Sequence, residues 1–237
     1  MDGNRRWAHQ RGMSSIAGHR AGADALGDIA ASATREGVKW MTVFAFSTEN
    51  WQRAPAEVSG LLKLIGNFIK TQSGKLMENN VRLRVVGRRD QFSQHLQGLI
   101  QGLESRSAYN NGLNLTVALD YGGQHDIVAA VTKIGQEIER GLLTAQDITD
   151  DLVKSRLSTN VLPAVDLLIR TGGEKRISNF LLWDLSYAEL YFTDQFWPDF
   201  GAVDFERALA EYRRRDRRFG GTTIQSTPLR VVKSDNS

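Results

Sequence analysis

Strand and helix patterns alternate along this chain with short connections between them, and few architectures accept that order. The segments "VKWMTVFAF" at 38–46, "VRLRVVG" at 81–87, "LNLTVALDYGG" at 113–123 and "VDLLIR" at 165–170 are runs of β-branched, aliphatic and aromatic residues, as in strands buried on both faces. Helical periodicities separate them. One covers "HRAGADALGDIAASATREG" and stops at Gly37. A long one starts at Pro55, where Val58, Leu61, Leu62, Ile65, Phe68 and Ile69 recur at helical spacing. Others span about Gln91 to Arg106 and Gln124 to Arg140, and a shorter helix begins near Thr144. The order predicts a single α/β domain, a mostly parallel central sheet flanked by helices, over residues 1–222. The polar terminal stretch 223–237 is expected to be a disordered C-terminal tail.

In such sheets ligands bind beyond the carboxyl ends of the strands. Two polar segments fall there: "STENWQR" after Phe46 and "RTGGEKRISNF" after Ile169. Arg170, Arg176 and Ser178 surround a Gly-Gly turn whose N–H groups can approach an anion closely, and guanidinium forks match phosphate oxygens. The first residues, "MDGNRRWAHQRG", add Arg5 and Arg6, and Arg53 follows the first strand. Two separated basic clusters point to two phosphorylated ligands. Asp2 and Glu189 are candidate hard oxygen ligands for Mg²⁺, which binds through one or two carboxylates plus substrate phosphates. His19 is a candidate phosphate donor at a helix N-terminus, with simple capping as the alternative. Trp7 and Trp51 serve equally as core aromatics or as an apolar wall beside the site.

The chain has no cysteine, which removes disulfides, thiolate metal sites and cysteine nucleophiles together. Chemistry here must run on oxygen and nitrogen. No apolar run approaches the roughly 18 residues of a membrane span, so a cytoplasmic protein is expected, peripheral at most at the inner face of the membrane. The net charge of +3 suits anionic partners. Nucleic acid is not expected among them, because basic residues are spread among acids and Arg213, Arg214, Arg215, Arg217 and Arg218 fit a solvated helix face.

The segments "MDGNRRWA", "GHRAG", "FAFSTENWQR", "YGGQHDI" and "RTGGEKRISNFLLWDLSYAELYFTDQFWPDF", in this order, resemble the cis-prenyltransferase (isoprenyl transferase) family, closest to its bacterial undecaprenyl diphosphate synthases, from residue 1 to about Gly221. The resemblance implies a Mg²⁺-dependent homodimer that adds isopentenyl diphosphate repeatedly to an allylic primer such as farnesyl diphosphate, forming Z double bonds. The implied product is undecaprenyl diphosphate, the carrier-lipid precursor of cell-wall polysaccharide, delivered to the membrane.

It further implies Asp2 as the essential acid and Asn50 as proton acceptor. Gly3, Asn4, Arg5, Arg6, Trp7 and His19 would hold the allylic diphosphate. Ser47, Thr48, Glu49, Trp51 and Arg53 would line the substrate site, with Arg170, Arg176, Ile177 and Ser178 on isopentenyl diphosphate. Asp2 and Glu189 would form the metal site, and Arg218 and Gly220 would reach a partner's diphosphate. The growing chain is expected in an apolar tunnel walled by the helix from Pro55 and by Ala45 and Leu113.

Three positions depart from the family pattern: Arg5 stands where glycine is frequent, Ser15 where arginine is, and Lys175 where histidine is. Family members also carry an apolar strand before the "MDGN" motif, so the natural protein is expected to be longer by about 15–25 residues. The rival readings are a shorter-chain synthase and a non-catalytic partner subunit. Against the latter, Asp2 to Asn4 and Asn50 to Arg53 are intact.

Overall fold

The computed structural model describes residues 1–215. It orders α1 (Asn4–Gln10), α2 (Ser15–Arg35), β1 (Trp40–Ser47), α3 (Pro55–Glu78), β2 (Arg82–Val86), α4 (Gln94–Ser107), β3 (Asn114–Tyr121), α5 (Gly123–Glu139), α6 (Asp150–Arg156), β4 (Leu167–Arg170), β5 (Glu189–Phe192) and α7 (Ala202–Arg213). Short 3₁₀ turns at Thr48–Gln52, Ala145–Asp147 and Trp197–Asp199 complete it. Local signals fix the ends. Ser14 caps α2 by accepting from the Ala17 N–H, Ser93 does the same for α4 from Leu96, and Pro55 occupies the first turn of α3.

All pairings are parallel, as expected, but they fall into two sheets rather than one. In the larger, β3 lies between β1 and β2; in the smaller, β4 pairs with β5. Side chains join the two. Phe180, from the loop after β4, stacks on Phe44 of β1 at 4.6 Å and meets Tyr121 of β3 edge-on at 6.3 Å. Val86, Ala118, Leu168 and Leu181 complete that core. The other core places Ile29, Phe46, Ile100, Leu103, Leu115, Leu119 and Phe200 at 1% exposure or less. At about 1.5–3 kcal/mol per fully buried large apolar side chain, these two cores carry the fold.

Three elements depart from the expectation. The stretch after Asp2 is a helix, α1, and "ELYF" is a strand, β5. The helix expected at Thr144 is a 3₁₀ turn followed by α6, which Thr149 caps. The tail 223–237, the domain end at 222, and Arg217, Arg218 and Gly220 lie outside the described residues. Of the arginines expected on a solvated helix face, Arg213 at the end of α7 is exposed and paired with Glu36 at 2.9 Å, whereas Arg215 lies beyond the helix, half-buried between Glu189 at 2.9 Å and Glu211 at 2.5 Å.

Candidate active site

Asp2 is the hub at the carboxyl ends of the strands. Its backbone N–H donates to the Thr171 hydroxyl at 2.9 Å, and its carbonyl accepts from that hydroxyl and from the Trp197 N–H. Its carboxylate accepts from the Gly3 N–H at 2.7 Å and from Arg170 Nη2 at 2.9 Å, with Arg6 at 3.5 Å. Burial pushes the Asp2 pKa up, but the Arg170 and Gly3 bonds and the Arg170 and Arg6 charges outweigh it and hold the acid below its usual range. Asp2 is therefore ionised.

Two glycines permit this convergence. Gly3 has φ 101° and a Cβ there would stand 2.6 Å from Phe196, while Gly172 has φ 86° and a Cβ would stand 2.8 Å from Arg6 Nη2. Gly18 and Gly22 of α2 let α1 settle so closely that a Cβ on either would strike Asn4. Asn4 is thus committed to the α1–α2 contact, and its buried Oδ1 has no partner.

Around Asp2 opens a polar cavity of about 380 Å³, lined by Met1, Asp2, Gly3, Asn4, Arg5, Arg6, His9, His19 and Arg53. Glu57 holds two of its cations, Arg53 at 3.1 Å and Arg5 at 3.8 Å. His19 lies in the second turn of α2, since Ser14 takes the cap, so the N-terminal role expected of it does not apply. It still faces the cavity. Burial, and then the Arg53 and Arg5 charges, lower its pKa to about 4, leaving a neutral imidazole whose buried Nε2 has no partner. That orphaned atom fits a phosphate oxygen or its water.

The loop after β4 supplies the second cluster. Arg170 Nη1 donates to Ser178 Oγ at 2.7 Å and to the Arg176 carbonyl, so the side chain is 13% exposed and fixed. Arg176, 62% exposed, touches Glu174 at 2.6 Å. Ser178 has φ 51° and Asn179 φ 62°. Asn179, unmarked in the sequence reading, ties this loop to its neighbours: it accepts from the Gln124 N–H at 2.8 Å and donates to Glu49 at 2.9 Å. Glu49 in turn stays below its usual carboxylate range, because hydrogen bonds from Asn179, Ser47 and Thr48 outweigh a burial that pushes it up.

Several expected site residues lie elsewhere. The Trp7 indole donates to Asp199 at 2.6 Å with Arg11 stacked on its ring at 4.3 Å, and it does not line the cavity. Ile177 packs on the second core. Asn50 accepts the Ser47 N–H at 3.1 Å in a capping box, which spends its carbonyl oxygen on the turn. Glu189 is not brought to Asp2. It pairs with Leu167 at the start of β4, whereas Asp2 bonds Arg170 and Thr171 at the end, about 10 Å along the strand. Its carboxylate is held by Arg215 at 2.9 Å.

Among the described residues no three His, Asp or Glu gather as ligands. Asp2 alone, ionised beside Arg170 and Arg6, fits a Mg²⁺ that would need further oxygens from a bound ligand.

Next to the polar cavity runs a groove of about 660 Å³ between α3 and α4, lined among others by Trp51, Arg53, Val58, Leu62, Leu96 and Leu99. Arg53 lines both. Ala45 and Leu113, expected as tunnel wall, do not line it; Leu113 is 1% exposed in the core. Among the described residues no helix is long and apolar enough to cross a membrane.

A cationic pocket with one ionised acid, opening beside a greasy groove, is the equipment of a prenyl transferase acting on diphosphates. The chain belongs to the prenyltransferase family described as "Putative undecaprenyl diphosphate synthase", which matches residues 1–220. It is 47% identical over 229 residues, 97% of this chain and 89% of the relative, to a ditrans,polycis-undecaprenyl-diphosphate synthase ((2E,6E)-farnesyl-diphosphate specific) of Aliivibrio fischeri. A Pseudomonas aeruginosa relative of that description is 48% identical over 95% of this chain and 90% of its own. Among solved structures, lavandulyl diphosphate synthase from Lavandula x intermedia, in complex with dimethylallyl diphosphate, superposes with TM-score 0.90 at 37% identity, covering 93% of this chain and 95% of that one.

Proposed function

We propose that the chain condenses isopentenyl diphosphate repeatedly onto farnesyl diphosphate to make undecaprenyl diphosphate, as the names of its bacterial relatives suggest. The observation that carries this reading is the adjacency of the cationic cavity and the apolar groove through Arg53. The allylic diphosphate sits among Arg5, Arg6, His19 and Arg53, its hydrocarbon in the groove past Trp51. Isopentenyl diphosphate sits on Arg170, Arg176 and Ser178. The allylic C–O bond breaks, the terminal alkene carbon bonds to the allylic carbon, and a proton leaves the isopentenyl unit.

Charge builds on the departing diphosphate, so cations and loop N–H groups fixed beforehand favour the transition state over the ground state. Bound through Asp2 and substrate oxygens, Mg²⁺ would supply Lewis-acid neutralisation of that charge. Asn50 is too weak a base to keep the proton, and it serves by orienting the proton's carrier, a diphosphate oxygen.

Each buried CH₂ is worth about 0.8 kcal/mol, so a lengthening product grips the groove ever harder. Release to a lipid surface is then the slow step, and turnover should rise when vesicles are added. The protein works as a homodimer in the cytoplasm, peripheral to the inner face of the membrane when it releases product. Incubation with labelled isopentenyl diphosphate, farnesyl diphosphate and Mg²⁺, followed by chromatography of the products, tests the reading. Products of undecaprenyl length support it, shorter ones replace it with a shorter-chain synthase, and none at all refutes it.

A further inference from the structure

Trp51 lines the groove two residues before Arg53, the side chain that lines both cavities, so its ring stands where a primer's hydrocarbon leaves the diphosphate pocket. Its indole N–H donates to Oδ1 of Asp120 at 2.8 Å. Asp120 lies near the end of β3 with φ 47°, in the left-handed region a non-glycine residue rarely adopts, and its side chain is 0% exposed. Arg88 secures that carboxylate twice, Nε to Oδ2 and Nη2 to Oδ1, each at 3.1 Å, and donates its backbone N–H to the Asp120 carbonyl at 3.2 Å.

A buried carboxylate on a strained residue is expensive, and packing does not require one. Phe46 and Phe92 already flank the Trp51 ring at 5.1 and 6.3 Å. What the ring contacts do not supply is a fixed rotation of the indole about its own bonds, and one directional bond to a charged acceptor does.

We propose that Asp120, aimed by Arg88, is a positioning residue that holds the Trp51 ring in one rotamer at the mouth of the groove and so sets where the first isoprene units of the allylic primer lie. The inference rests on the function proposed above and concerns the primer alone. Isopentenyl diphosphate, on the loop after β4, is not touched by this device.

The test compares wild type with Trp51→Phe, which keeps an aromatic wall and the Asp120–Arg88 pair but loses the donor, and with Asp120→Asn, which loses the charge. KM for each substrate, product-length distribution and melting temperature are measured on the full chain with Mg²⁺. Losing one hydrogen bond to a charged group should raise the KM for farnesyl diphosphate about tenfold in Trp51→Phe and broaden the product lengths, while the KM for isopentenyl diphosphate stays within about twofold.

Asp120→Asn should show the same split. If it does not fold, Trp51→Phe decides by itself. An unchanged primer KM and product distribution, or equal rises in both KM values, would overturn the proposal whatever happens to the melting temperature. Wild type that elongates nothing in the same assay would instead refute the proposed function, and is seen before any variant is read.

Discussion

The floor and the rim of the candidate site are built differently, although both consist of arginines and carboxylates. On the floor, Arg170 is 13% exposed and bonded to Asp2, to Ser178 and to the Arg176 carbonyl, and Asp2 is bonded in turn through both backbone and side chain. On the rim, Arg5 and Arg176 are 50% and 62% exposed, and each has one carboxylate partner, Glu57 or Glu174. Solvent-exposed pairs of that kind are worth about 0–1 kcal/mol, so a phosphate can displace the carboxylate at little cost. The floor is a preformed scaffold; the rim is an exchangeable set of cations. Burial of the arginine and the number of its hydrogen bonds, not residue type, separate them.

Substitutions sharpen the contrast in order of expected size. Asp2→Ala strikes the floor and should lower kcat by about 10²–10³-fold or more, the scale seen when one pre-placed electrostatic group is lost, in a steady-state assay with both substrates and Mg²⁺. Arg170→Ala should also cut activity, and it leaves the partly exposed Asp2 without its main partner, so denaturant unfolding should show a loss of about 1.5–3 kcal/mol. A stability change under 1 kcal/mol would mean that the floor is no more rigid than the rim.

His19 gives a pH-dependent test. Its folded pKa is about 4 against a usual 6.5, so between those values the unfolded chain binds the proton and the folded chain does not. Stability should therefore fall as pH drops from 6.5 toward 4, by up to about 3 kcal/mol, and His19→Gln should flatten that part of the slope in unfolding experiments across the range. Smallest in stability is Arg176→Ala on the rim, expected within about 0.5 kcal/mol of wild type by thermal unfolding.

Much of this was legible beforehand. Runs such as "LNLTVALDYGG" and the strand-end rule led from composition to the polar loops that hold Arg53 and Arg170, because a parallel sheet fixes which ends face the ligand. What escaped depends on pairings distant in the chain. The separation of Glu189 from Asp2 within the chain was not legible because sequence does not show strand register, which sets Glu189 opposite Leu167 at the start of β5. Glu57, in the first turn of α3, holds Arg5 from another helix, a contact that no local spacing shows. The Asp120–Arg88–Trp51 contact joins the end of β3, the loop after β2 and the 3₁₀ turn after β1, which are far apart in the chain. Short α1 has only Ala8 buried and shows no apolar stripe, and β5 is four residues long, so neither offered a periodicity to find.

The account requires two diphosphates on two separate arginine sets with Asp2 between them. Measuring both KM values in Arg53→Ala and in Arg176→Ala tests this directly. It predicts crossed effects: Arg53→Ala raises the farnesyl diphosphate KM about tenfold and Arg176→Ala raises the isopentenyl diphosphate KM about tenfold, each sparing the other substrate. Both variants weakening the same substrate, or both substrates equally, would contradict it.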